Sequence, residues 1–134
     1  MPMTKIASGG ELSRIMLALR SVLNDRDGTA TVIFDEIDTG VSGKTSRKIG
    51  IKLSESAKGA QVLCVTHSAQ IASLADTHYL ISKKEADGRA ETDVLELSQE
   101  ARVEEIARIL GGIEITDAQR LAAREMIEEY KQKA

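Results

Sequence analysis

The sequence predicts an α/β domain. Short, wholly apolar runs rich in β-branched residues alternate with longer segments whose apolar residues fall at helical spacing, and the joints carry Gly, Asp and Asn. A length of 134 residues suits one compact domain over 1–134. An apolar fraction of 42% provides for a buried core, and with aromatics at 2% that core is built from Leu, Ile, Val, Ala and Met.

Ser8-Gly9-Gly10-Glu11 opens the first helix. Ser8 with Glu11 three residues on is a capping box, in which the hydroxyl meets a free amide and the carboxylate reaches back. Leu12, Ile15, Met16, Leu19, Val22 and Leu23 form an apolar stripe, and Asn24 to Gly28 ends the helix. Thr31-Val32-Ile33-Phe34 is a continuous β-prone run, expected to be a strand buried on both faces, and it stops at Asp35-Glu36. A loop with Gly40 and Gly43 leads to a helix from about Lys44 to Lys58. Gln61 to Thr66 is a second buried strand ending at His67, and Gln70 to Ala75 a short helix. His78–Ser82 and Thr92–Leu97 pair as strands through an Asp87-Gly88 turn. Val103, Ile106, Ala107 and Leu110 mark a helix closed by Gly111-Gly112. A last helix begins near Thr116, capped reciprocally by Gln119, and turns Leu121, Ala122, Met126 and Ile127 inward.

A net charge of −3 argues against this segment being a strong duplex-binding surface, which needs clustered Lys and Arg; Lys83-Lys84 is solvated surface. The single cysteine, Cys64, forms no internal disulfide, and its apolar neighbours predict a buried free thiol in a reducing compartment. No apolar run approaches the ~18 residues of a membrane span. No signal-peptide pattern is present, so the cytoplasm is expected.

Three places carry chemistry. Asp35-Glu36 sets two adjacent carboxylates at the carboxyl end of a strand, where α/β sheets bind ligands. One carboxylate there can hold Mg²⁺ and its neighbour can orient an attacking water, while the alternative is an Asp capping the next turn. Ser8-Gly9-Gly10 combines close backbone approach with the free amides of a helix start, which is an anion site or simply a capped helix. His67 can hydrogen-bond a phosphate or a water, or be a structural histidine, and Asp38 is equally a loop cap. Gly43-Lys44-Thr45 imitates a phosphate-binding loop, but the glycine required five positions before Gly43 is Asp38, so it is read as a helix start.

The order of these elements resembles the second half of an ABC-type ATPase head. Ala7-Ser8-Gly9-Gly10-Glu11 resembles the signature motif, and Val32-Ile33-Phe34-Asp35-Glu36 resembles Walker B. Asp38 falls in the D-loop, and His67 matches the switch histidine. Three longer strings are similar to an SMC-like, DNA-repair branch of these ATPases: Ala7 to Leu19, Phe34 to Gly43, and Val103 to Arg108 with Leu110-Gly111-Gly112. Transporters usually have Leu before the SGG and Gln after it.

The resemblance implies the C-terminal lobe of a P-loop NTPase head, a partly parallel sheet flanked by helices, incomplete without an N-terminal lobe. It implies ATP and Mg²⁺ as ligands of the complete head. Asp35 would support the metal, and Glu36 and His67 would be catalytic. Ser8, Gly9, Gly10, Glu11 and Asp38 would face nucleotide across a head–head dimer. The implied partners are a Walker A lobe of the same protein, a second head in a homodimer, and DNA through the full-length protein, with no membrane and a place in the bacterial nucleoid. Lacking Walker A, the segment alone is expected not to hydrolyse ATP. The competing readings are a head segment of another SMC-like or transporter ATPase, or an interaction module that uses no nucleotide.

Overall fold

A computed structural model describes residues 9–23 and 31–133. They form two compact units that meet in sequence between Leu74 and Ala75.

The first unit holds α1 (Gly9–Leu23), β1 (Thr31–Asp35), α2 (Gly43–Ser56), β2 (Gln61–Val65) and α3 (Ala69–Ala72). β1 and β2 pair in parallel, in register from Thr31 opposite Gln61 to Asp35 opposite Val65, with α2 as the crossover. Because strand side chains alternate between faces, Val32, Phe34, Val62 and Cys64 turn to one side. There they join Leu17, Ile37, Ile49, Leu53 and Ile71 in a single core. The chain's only Phe is at its centre.

The other face is bare, which corrects the expectation of strands buried on both sides. Ile33 is 67% exposed, and Leu63 and Val65 are exposed with it. A wholly apolar strand records that both faces are to be covered, but the described helices of this unit pack on one face only. α1 departs from expectation in the same way. Leu17 is the buried residue, whereas Ile15, Met16 and Leu19 of the predicted stripe are exposed. The face that turns inward carries Gly10, Arg14 and Leu17. The predicted helix end at Asn24–Gly28 lies outside the described residues.

α2 begins one residue before expectation because Ser42 caps it, its Oγ accepting from the Thr45 amide at 3.3 Å. It ends at Ser56 rather than Lys58. There Lys58 N–H donates to Glu55 and Gly59 N–H to Ser56, tightening the winding to three-residue turns. The short helix α3 is capped by Ser68.

The second unit holds the hairpin β3 (Tyr79–Ala86) and β4 (Arg89–Glu96), then α4 (Gln99–Gly111) and α5 (Asp117–Lys133). Asp87 and Gly88 both have positive φ, 52° and 74°, the geometry of a type I′ turn that matches strand twist. Pairing runs from this turn to Tyr79 and Glu96. The strands are therefore longer than their apolar residues predicted, because ladder bonds extend through solvated Lys, Glu and Arg. α4 is capped by Ser98 and stopped by Gly112, whose φ is 78°. The Thr116–Gln119 box forms in both directions: Gln119 N–H donates to Thr116 Oγ1 at 3.2 Å, and Thr116 N–H to Gln119 Oε1 at 2.8 Å.

Val103, Ile106 and Ala107 of α4 are buried, as are Ala123 and Ile127 of α5. Leu121, expected inward, is 57% exposed. The buried pair at 123 and 127 has the four-residue spacing of one helix face, and Leu121 lies off it.

Candidate functional site

The placing of Asp35 and Glu36 depends on how β1 leaves the sheet. Glu36, the first residue beyond the strand, has φ 58°, a left-handed conformation that costs a side-chain-bearing residue about 1–2 kcal/mol. The chain then turns: Thr39 N–H donates to the Glu36 carbonyl at 3.1 Å, and Val41 N–H to that of Asp38 at 3.4 Å. Ile37, fully buried, anchors this turn in the core. With Ile37 inward, Asp35 and Glu36 stand exposed at the carboxyl end of the parallel pair. Among the described residues, neither carboxylate is taken up by an internal hydrogen bond or ion pair.

β2 ends alongside, since Asp35 and Val65 are partners in register. Thr66 follows and does two things at once. Its Oγ1 donates to Asp38 Oδ2 at 2.6 Å, and it accepts from the Ser68 amide at 3.0 Å. Between the two bonded residues His67 is exposed, at the same sheet edge as Asp35 and Glu36. Beneath them burial pushes the Cys64 thiol up to about 12, with Asp38 and Asp35 adding to the shift. Cys64 is half-buried against the core, short of the full burial the sequence predicts, and its raised pKa keeps the thiol protonated.

The start of α1 lies against this turn. Ser13 Oγ donates to the Asp35 carbonyl at 2.8 Å. Arg14 Nη1 donates to the carbonyls of both Ile37 and Thr39, each at 3.0 Å. Gly10 is buried on the Glu36 carbonyl, and a Cβ there would stand 2.6 Å from that oxygen. Gly10 therefore has an internal reason to be glycine, beyond any close approach of a phosphate. Gly9 is the first helical residue and Glu11 lies in the first turn. Ser8 and its capping box with Glu11 lie outside the described residues.

The structure thus gathers Asp35, Glu36, Asp38, His67 and Gly10 around one sheet edge. Sequence reasoning passed over Ser13, Arg14 and Thr66. The available signal was the Leu12-Ser13-Arg14 continuation, distinctive as a string but without an assigned role, and the Thr before His67. The Gly43-Lys44-Thr45 imitation is resolved by Ser42, whose hydroxyl takes the Thr45 amide that a phosphate would need.

The donor set fits magnesium, which is held through one or two carboxylates with the rest of its shell from phosphates and water. Asp35 presents an exposed carboxylate of the kind such a site would need. Among the described residues no group of three His, Cys, Asp or Glu side chains forms an all-protein cage.

These features place the chain in a structural class. It aligns with a solved chain described under "Structural biochemistry of ATP-driven dimerization and DNA stimulated activation of SMC ATPases". The TM-score is 0.56 at 23% identity, covering 82% of this chain and 66% of that one. The fold is that of part of an SMC-type ATPase head. In sequence the chain is homologous to one segment of the RecN family of DNA repair proteins. It is 49% identical over 127 residues to RecN of Halalkalibacterium halodurans, which is 95% of this chain and 22% of that protein. It is 45% identical over 130 residues to RecN of Bacillus subtilis, 97% of this chain and 23% of that one. With RecN of Mycobacterium leprae the identity is 43% over 128 residues, 96% and 22% of the two chains. The chain therefore spans about a fifth of the length of the curated relatives it matches. No protein-family model matches it. The RecN homology favours the DNA-repair branch over a transporter head or a nucleotide-free interaction module. No helix among the described residues is long and apolar enough to cross a membrane.

Proposed function

We propose that this segment is the C-terminal lobe of a RecN-type ATPase head, supplying the signature helix, the metal-binding Asp35 and the catalytic Glu36 for ATP hydrolysis between two heads. The observation that carries the reading is the exposed Asp35–Glu36 pair at the end of β1, held against the glycine-rich start of α1.

In this reading Asp35 would hold Mg²⁺, which when bound would supply positive charge to offset that of the phosphates. Glu36 accepts a hydrogen bond from the attacking water and takes its proton, a contribution of roughly 10²–10⁴ in rate for a well-placed base. His67 donates to an oxygen of the terminal phosphate. Ser8, Gly9 and Gly10 present helix-start amides to the nucleotide held by the partner head, with Glu11 in the same turn, favoured there by the helix dipole. Asp38, held by Thr66, lies where the two heads meet. The bare faces carrying Ile33, Leu63 and Val65, and Ile15, Met16 and Leu19, are covered by the remainder of the protein, including the Walker A lobe. DNA is engaged through the full-length protein in the cytoplasm, at the nucleoid.

Glu36→Gln in the full-length protein tests this. ATP binding is expected to persist, turnover to fall at least a hundredfold or so, and ATP-bound dimers to accumulate on gel filtration. Unchanged turnover rejects the assignment. The isolated 134-residue segment is expected to show no micromolar MgATP affinity in calorimetry.

A further inference from the structure

We infer that Arg14 is a positioning residue that ties the signature-like helix to the catalytic turn of the same chain, so that a shift at the start of α1 is passed to Glu36 and Asp38. The inference rests on the ATPase reading above and deepens it.

The first two turns of α1 contact almost the whole backbone of the turn. Ser13 Oγ donates to the carbonyl of Asp35, Gly10 packs on that of Glu36, and Arg14 donates to those of Ile37 and Thr39. Four carbonyls between residues 35 and 39 thus face one short stretch of helix. They flank Glu36 and Asp38, so the directions of those two side chains follow the carbonyl positions.

Arg14 is the charged member of this set, and hydrogen bonds from a charged donor are roughly twice as strong as neutral ones. Its bonds go to backbone oxygens, so they constrain the turn whatever side chains it carries. The turn also needs holding. Glu36 has φ 58°, and a non-glycine residue stays in that region only where its surroundings over-determine it. From the other side Thr66 holds Asp38 at 2.6 Å. Arg14 and Thr66 therefore grip the turn from opposite elements, α1 and the end of β2.

The consequence lies between sites. The start of α1 meets the partner head's nucleotide, whereas Glu36 serves its own head's nucleotide. Arg14 bridges the two within one chain. Its loss leaves binding in place, misaligns Glu36 and uncouples the two sites.

The test uses the full-length protein with Arg14→Gln, Arg14→Lys and Glu36→Gln, following ATP hydrolysis against ATP concentration together with thermal melting. Arg14→Gln is expected to lower kcat about ten- to a hundredfold, the scale set by small misplacements of reacting groups. The KM for ATP should stay within about threefold, and any positive Hill coefficient should fall toward one. Arg14→Lys keeps a cationic donor and should recover part of kcat, with a parental melting temperature. Parental kcat in Arg14→Gln overturns the inference, as does a loss that disappears on assaying well below the melting point. If Arg14→Gln does not fold, Arg14→Met, which keeps the aliphatic stem and removes the donor, takes its place, and parental kcat in that variant overturns the inference. Undiminished turnover in Glu36→Gln defeats the ATPase reading itself. A dead Glu36→Gln beside an unaffected Arg14→Gln defeats this inference alone.

Discussion

Gly10 of α1 and the carbonyl of Glu36 are in direct contact, and a methyl group on Gly10 would lie 2.6 Å from that oxygen. The obstructing atom belongs to backbone in a tight turn, so relief requires α1 or the turn to move.

Gly10→Ala is accordingly expected to destabilise the first unit by about 1–3 kcal/mol, the range for overpacking a buried site. Intrinsic helix propensity predicts the opposite sign, a gain of up to about 1 kcal/mol for Gly to Ala within a helix. Urea denaturation of the parent protein and variant separates the two, and equal or greater stability in the variant excludes the contact as described.

Thr66→Val removes the hydroxyl that donates to Asp38 and accepts from Ser68, at nearly constant volume. The part-buried Asp38 carboxylate loses its partner, a cost of about 1–3 kcal/mol. ATP turnover in the full-length protein should fall with it. Thr66→Ser retains the hydroxyl and should stay within about 0.5 kcal/mol of the parent. Indistinguishable denaturation midpoints for Val and Ser would show that the hydroxyl contributes nothing.

His78 adds a pH dependence to the second unit. Its pKa is lowered from 6.5, first by burial and then by Arg102, with Glu105 opposing. Among the described residues its buried Nδ1 has no hydrogen-bond partner. The unfolded chain takes up this proton more readily than the folded one, so stability rises with pH through the window. The contribution is fully present above pH 6.5 and is lost as the pH falls from there through the lowered folded-state pKa. From pH 8 down to pH 5 the melting temperature of the parent should fall more steeply than that of His78→Gln. Parallel curves remove His78 as the cause.

Cys64, with its thiol pushed up to about 12, should be almost wholly protonated at pH 8. Thiolate is the reactive form, so iodoacetamide should label it far more slowly in the native protein than in urea. Mass spectrometry after timed quenching checks this, and equal rates in both states contradict a thiol held protonated by its half-buried place against the core.

Local patterns were legible because they involve residues a few positions apart. The Thr116–Gln119 box, the Asp87-Gly88 turn and the Gly112 stop are short-range chemistry, and each forms where the sequence places it. The Asp35-Glu36 and His67 positions were legible for a related reason: each terminates an apolar run, and a parallel pair brings such ends to one edge. Helix rotation was less legible. In α1 the apolar stripe proposed one inward face, whereas in this unit the face carrying Leu17 and the carbonyl-bound Arg14 is the one turned to the core. Leu121 of α5 shows the same weakness, since hydrophobicity alone does not say which face meets α4.

The amino-acid order alone established an α/β chain, its strand ends and the carboxylates standing on them. Folding in three dimensions settled that Ser13 and Arg14 of α1 hold the backbone carbonyls of residues 35, 37 and 39, and that Thr66 holds the Asp38 carboxylate. Those contacts join residues 22 to 28 positions apart. Periodicity and capping operate over one or two helical turns and carry no record of partners at that separation. They arise only when close packing brings the helix, the strand end and the turn into van der Waals contact.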